Sequence, residues 1–167
     1  NRRRKRYYGC KTCIPKGLIM IEKVRATIED IDALGAMETK YFPSPWTKAQ
    51  FEEEMKNNPF SRIFLLKDEN KLVGYIDYWI IFDQAQINKI CIEEEYRRQH
   101  LGEYLMKEAF KEMKENEVFS ITLEVRVSNI KAQRLYEKLG FKNTLLKKSY
   151  YSDGEDAFYM VKGGFEL

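Results

Sequence analysis

Residues 21–26 alternate between apolar and polar side chains, which predicts an opening strand. Thr27 is followed three residues later by Asp30, and then Ile31, Leu34 and Met37 recur at helical spacing, with Glu38 beside them. This spacing predicts a capped helix with one core face. Pro43 and Pro45 break it, Thr47 caps a second helix that carries Phe51 and Met55 on one side, and Asn57, Asn58 and Pro59 stop that one. Runs at 61–67, 71–82 and 85–92 are rich in Val, Ile, Phe, Tyr and Trp and read as strands, the first two joined by the turn Asp68-Glu69-Asn70. The period then switches. Leu101, Leu105, Ala109, Phe110 and Met113 mark a helix over about 102–115. A β-branched strand is predicted at 118–127 and a helix at 129–139, with Gly140 in the position that commonly ends a helix. Strands at 141–150 and 155–161 close the chain around Asp153-Gly154. The order βααβββαβαββ implies an α/β fold, a mixed central sheet with helices on both faces.

A chain of 167 residues is one domain's worth and buries a real core. No apolar run approaches the roughly 18 residues of a transmembrane helix, so no membrane partner is expected. No basic-then-apolar leader of the secretory kind is seen either. Cys10, Cys13 and Cys91 are too few for a disulfide framework. The Cys10–Cys13 pair lacks the two further ligands a zinc site needs, the single histidine being His100 far along the chain, so no metal is expected. A reducing, cytoplasmic setting fits this cysteine usage.

The net charge of +3 conceals an asymmetry. Arg2, Arg3, Arg4, Lys5, Arg6, Lys11 and Lys16 stand in residues 1–19 without one acid. The remaining 22 basic and 26 acidic groups leave −4 on residues 20–167. The division expected is a basic N-terminal arm at 1–19 and one folded domain at 20–167. Met20 opens the regular pattern and is expected to be the natural start, with the arm non-native or disordered. The alternative is a nucleic-acid-binding arm with Tyr7 and Tyr8 as stacking groups. The acidic body attracts cationic partners, and no specific nucleic acid is expected for it.

Two segments carry candidate chemistry. In the first, the strand ending Ile90-Cys91-Ile92 leads through Arg97, Arg98, Gln99, His100 and Leu101 to Gly102 and Glu103 at a helix start. Successive backbone N–H groups at a helix start bind phosphate, basic side chains add charge complementarity, and a small residue admits a close ligand. The plain alternative is a solvent-facing helix entry. In the second, Leu123-Glu124-Val125-Arg126 runs into Ser128, Asn129, Ala132, Leu135-Tyr136 and Gly140-Phe141. Alternation along the strand puts Glu124 and Arg126 opposite Leu123 and Val125. Ser128 is a fair N-cap, and Ala132 and Tyr136 share a helical face. A carboxylate accepts the proton of an attacking ammonium, and a phenol returns one to a leaving thiolate. The structural alternatives are a Glu124–Arg126 salt bridge and a core aromatic at Tyr136.

Arg97-x-x-His100-x-Gly102 resembles the pyrophosphate-binding loop of the GNAT superfamily of N-acetyltransferases, with histidine where the family has its first glycine. The series Leu123-Glu124-Val125-Arg126, Ser128-Asn129, Ala132, Leu135-Tyr136 and Gly140-Phe141 resembles the signature of the RimI family, which acetylates the N-terminal alanine of ribosomal proteins. Tyr150-Tyr151 with Asp153-Gly154-Glu155-Asp156-Ala157, and Phe42-Pro43-Ser44-Pro45-Trp46-Thr47, resemble two further segments of that family. The resemblance covers about 20–161. It implies acetyl-coenzyme A as co-substrate, a protein N-terminus as partner, Glu124 as general base and Tyr136 as general acid. It also implies cofactor contacts at Ile90, Cys91 and Ile92, at Arg98, Gln99, His100, Leu101, Gly102 and Glu103, and at Asn129. Histidine tolerates φ > 0 better than most residues, and His100 is read as a loop residue, not a base. Cys91 is read as a small apolar contact, and Trp46 and Tyr151 as lining an acceptor groove or simply core. Two other activities stay open: acetylation of lysine, a polyamine or another small amine, and a non-catalytic ribosome- or RNA-associated module.

Overall fold

The computed structural model describes residues 21–163, so the basic arm, with its cysteine pair and two tyrosines, lies outside the described residues. The expected element order is found: β1 (Ile21–Arg25), α1 (Ile31–Tyr41), α2 (Lys48–Asn57), β2 (Ser61–Asp68), β3 (Lys71–Ile81), β4 (Gln84–Ile92), α3 (Leu101–Glu115), β5 (Ser120–Arg126), α4 (Ile130–Lys138), β6 (Lys142–Lys147) and β7 (Ala157–Gly163). Differences are confined to element ends. Thr27 and Asp30 cap each other as expected, but around one 3₁₀ turn, Ile28–Asp30, that precedes α1. β6 stops at Lys147 because Ser149 takes a positive φ of 47° and its N–H turns to Asp156 Oδ1 at 2.8 Å. Thr47 and Gln50 exchange hydrogen bonds of 3.2 and 2.9 Å at the start of α2. Asn129, not Ser128, caps α4: its Oδ1 accepts the Ala132 N–H at 3.2 Å, while the Ser128 N–H and hydroxyl go to Glu155.

The sheet order is β1-β2-β3-β4-β5-β7-β6, antiparallel throughout except for the parallel pair β4–β5. A parallel pair needs a crossover, and α3 provides it. α1 and α2 cover one face over Leu34, Phe51, Leu65 and Tyr75. α3 and α4 cover the other over Leu105, Met106, Met113, Leu123 and Tyr136. Gly140 takes φ +94°, which lets the Phe141 N–H reach the Tyr136 carbonyl at 2.9 Å and the Gly140 N–H reach Glu137 at 3.0 Å. This double bond pattern ends α4 and turns Phe141 into the core, where its ring meets that of Tyr136 edge-on at 5.9 Å.

One break in the sheet positions everything that follows. β4 and β5 pair only from Gln84↔Ser120 to Ile87↔Leu123. Past that point β4 stays on β3 as far as Ile92, and β5 stays on β7 as far as Arg126. The two middle strands part, and among the described residues the β4 edge over 88–92 that faces β5 is left without a strand partner.

Candidate active site

Three elements border the gap: the free edge of β4, the end of β5 and the start of α3. On β4, Ile90 and Ile92 pack toward the α3/α4 side, and Cys91 is buried on the α1/α2 side. Burial pushes the Cys91 thiol up to about 12, so it stays protonated and unreactive at neutral pH. What this stretch offers a ligand is its backbone, a row of N–H and C=O groups suited to strand-like addition.

The loop from β4 to α3 has the backbone features an anion would use. His100 is the N-cap of α3 at φ 60°, ψ 17°, the left-handed conformation the family pattern would fill with glycine, and Arg98 is also left-handed at φ 61°. The N–H of Tyr104 is the first to bond back into the helix, to His100 at 2.9 Å, so those of Leu101, Gly102 and Glu103 point outward from the helix start. A Cβ on Gly102 would meet Leu135 at 3.5 Å and Ile92 at 4.0 Å, ordinary contacts, so packing within the protein does not demand glycine there. Arg97 closes the loop, its Nε donating to the Ile92 carbonyl at 2.9 Å and its guanidinium lying 4.7 Å over the Tyr41 ring. Arg98 is exposed. Lys107 and Lys138, each 2.7 Å from the Glu103 carboxylate, hold its pKa down at about 2, so it stays ionised while their two positive charges offset the repulsion an anion would meet. Gln99 is not arranged for phosphate: its Nε2 turns back toward Glu95 and its Oε1 is buried without a partner among the described residues. The Asn129 Oδ1 is committed to capping α4. A pyrophosphate-bearing cofactor therefore fits the backbone of 101–103 and the basic rim better than it fits every side chain of the loop.

Glu124 and Tyr136 approach from opposite faces of the sheet. Leu123 and Val125 enter the α3/α4 core, so Glu124 projects to the other side, 12% exposed. Its carboxylate accepts from Lys147 Nζ at 2.7 Å, not from Arg126. Lys147 lies over the rings of Tyr159 and Tyr150 at 4.5 and 5.2 Å. Arg126 instead bonds Asp153 and Glu155, both at 2.8 Å, and stacks on Tyr151 at 3.9 Å. Tyr136 is buried, and desolvation followed by the charge of Tyr151 raises its pKa, so the hydroxyl keeps its proton. Tyr151 is itself pushed up to about 12, by burial first and in part by Glu124. Tyr151 thus stands within electrostatic reach of both residues.

Sequence reasoning missed Lys147 and a polar cluster on the α1/α2 side of the sheet. Lys89 of β4 reaches Glu38 of α1 at 3.1 Å, and Glu38 also accepts from the Trp46 N–H at 2.7 Å and from the Tyr75 hydroxyl. The Lys89 ammonium lies 4.2 Å over Phe42 and 5.6 Å over Trp46. Trp46 is part of this packed wall, edge-on to Phe51 at 5.5 Å. Ser44 and Ser152 meet at 2.6 Å, joining the α1–α2 loop to the β6–β7 loop. Apart from the Trp46–Phe51 contact, none of these has a local signal, because the partners lie between 8 and 108 positions apart.

A profile of the acetyltransferase (GNAT) family matches residues 31–141. A Bacillus subtilis protein named as a candidate ribosomal protein bS18-alanine N-acetyltransferase is 44% identical over 134 residues, covering 80% of this chain and 89% of that protein. The ribosomal protein bS18-alanine N-acetyltransferase of Escherichia coli is 31% identical over 135 residues, covering 79% and 90%. The crystal structure of the E. coli enzyme superposes with a TM-score of 0.80 at 28% identity, over 89% of this chain and 96% of that one.

Proposed function

The chain belongs to the GNAT family of acetyltransferases, and from that premise we propose that it transfers the acetyl group of acetyl-coenzyme A to the α-amine of a protein N-terminus, the alanine of ribosomal protein bS18. The names of the two relatives support the acceptor. The observation that carries the chemistry is the parting of β4 and β5 beyond Ile87 and Leu123, with Glu124 next along β5 and Tyr136 of α4 in the core on the opposite face of the sheet. When bound, acetyl-coenzyme A supplies an acyl group already activated as a thioester, so no covalent enzyme intermediate is called for. Glu124, steadied by Lys147, takes a proton from the incoming ammonium directly or through water as the C–N bond forms. Tyr136 gives its hydroxyl proton to the sulfur as the C–S bond breaks. The α3 start and the Arg97–Arg98 loop hold the pyrophosphate. The acidic body suits a cationic ribosomal protein, and the reaction belongs in the cytoplasm with its substrate.

The test is turnover with two peptides of one sequence. One begins with a free alanine; the other has its N-terminus blocked and an internal lysine exposed. Mass spectrometry should find acetyl only on the free α-amine. Equal kcat/KM on the blocked lysine peptide would overturn the acceptor assignment.

A further inference from the structure

We infer that Asp77 and Asn88 are a positioning pair for the cofactor cleft: the Asn88 side chain, tied to the buried Asp77 carboxyl, holds the bulge that parts β4 from β5. The inference rests on the reading that the gap receives acetyl-coenzyme A. Asp77 pairs with Lys89 and Tyr78 with Ile87, so Asn88 is an extra residue on β4 without a partner on β3. It follows directly on Ile87, the last residue of β4 that pairs with β5. Such a bulge bends its strand and increases the local twist.

The bulge also resets which side chains face which layer. Ala85 and Ile87 pack toward α3 and α4 before it, and Ile90 and Ile92 do so after it. Strict alternation from Ile87 would instead drive Lys89 into that apolar core and turn Ile90 and Ile92 away. The extra residue is therefore what allows Lys89 to meet Glu38 and the β4 edge to stand free.

Asp77 is the group that holds Asn88 in place. It is 0% exposed, its Oδ1 accepts from Asn88 Nδ2 at 3.2 Å, and its Oδ2 has no hydrogen-bond partner among the described residues. A carboxyl so deeply buried is costly, and an apolar residue would fill the site at less cost. Burial pushes it up to about 7, with Glu54 and Glu38 adding to that and Asn88 and Lys89 opposing it. The Asn88 side-chain amide finds an acceptor on Asp77 whether or not the carboxyl is protonated.

The experiment is calorimetric binding of acetyl-coenzyme A to the full chain and to four variants. Asn88→Ala and Asp77→Ala should each weaken binding about tenfold, the scale of one lost hydrogen bond. Asp77→Asn keeps a carbonyl for Asn88 and should bind within about twofold of wild type. The double variant Asp77→Ala/Asn88→Ala should be no weaker than either single one, because both remove the same bond. If Asp77→Ala does not fold, Asn88→Ala, changed at a half-buried position, decides alone. Wild-type affinity in Asn88→Ala, or an Asp77→Asn as weak as Asp77→Ala, overturns the pair's role. Failure of the wild type to bind would instead bring down the proposed function, and this role with it.

Discussion

Replacing Lys89 with methionine removes one end of an ion pair whose side chains are only 14% and 0% exposed. At 3.1 Å and an effective dielectric near 20, the attraction lost is about 5 kcal/mol. Methionine refills most of the lysine stem and keeps contact with Phe42 and Trp46, giving up a cation–π contribution of about 1 kcal/mol. Glu38 is left buried, but the Trp46 N–H and the Tyr75 hydroxyl still bond it. Breaking one end of a buried pair costs about 3–5 kcal/mol, and the two surviving donors place this case near the lower end, about 3 kcal/mol. For a chain of this size that is a fall in Tm of about 6–12 °C. Urea unfolding with linear extrapolation measures it directly. Adding Glu38→Gln should recover at least half of the loss, because the uncompensated charge is gone. A cost below about 1 kcal/mol, or a double variant no better than the single one, would refute the account of Lys89 as a buried clamp between β4 and the α1–α2 loop.

Glu124→Gln and Tyr136→Phe should each lower turnover about 10²-fold while acetyl-coenzyme A affinity, measured by calorimetry, changes little. Unchanged turnover in both would remove them from the proton transfers. Asp77 has a folded-state pKa of about 7 against about 3.9 when unfolded, so the native state binds a proton that the unfolded state releases. Its contribution to stability is full below about pH 4 and is lost as pH rises through 7. Asp77→Asn should flatten that part of the stability–pH curve by up to about 4 kcal/mol in urea titrations at pH 4 and 7. His100→Gly relieves a left-handed histidine at φ 60° and should raise stability by about 0.5–1 kcal/mol, with acetyl-coenzyme A bound at least as tightly. A lower Tm together with weaker binding would show that the His100 side chain serves the loop.

What the chain carries locally was legible from the sequence. Period 2 marked β1, period 3.6 marked the helices with one core face, and runs of β-branched and aromatic residues marked the central strands, of which β3 is buried on both faces and so shows no alternation. Thr47 with Gln50 and the Gly140 stop are contacts within three to five positions, where neighbouring chemistry suffices. The left-handed turn at His100 was suggested by the resemblance, since His100 stands where the family loop has a glycine, and not by its neighbours. Glu124, Tyr136 and the α3 start could be named because their residue types stand in ordered motifs. Their surroundings could not. Glu124 was weighed against Arg126 two positions away, yet its partner is Lys147, which arrives because β6 lies beyond β7 in the sheet order. The Asn88 bulge, the buried Asp77 and the Lys89–Glu38 pair have no periodic signature, since each depends on the register between strands and on which helix covers them. Pairing register and layer order are decided only when distant segments pack. That packing opens the gap between β4 and β5 on which the proposed chemistry depends.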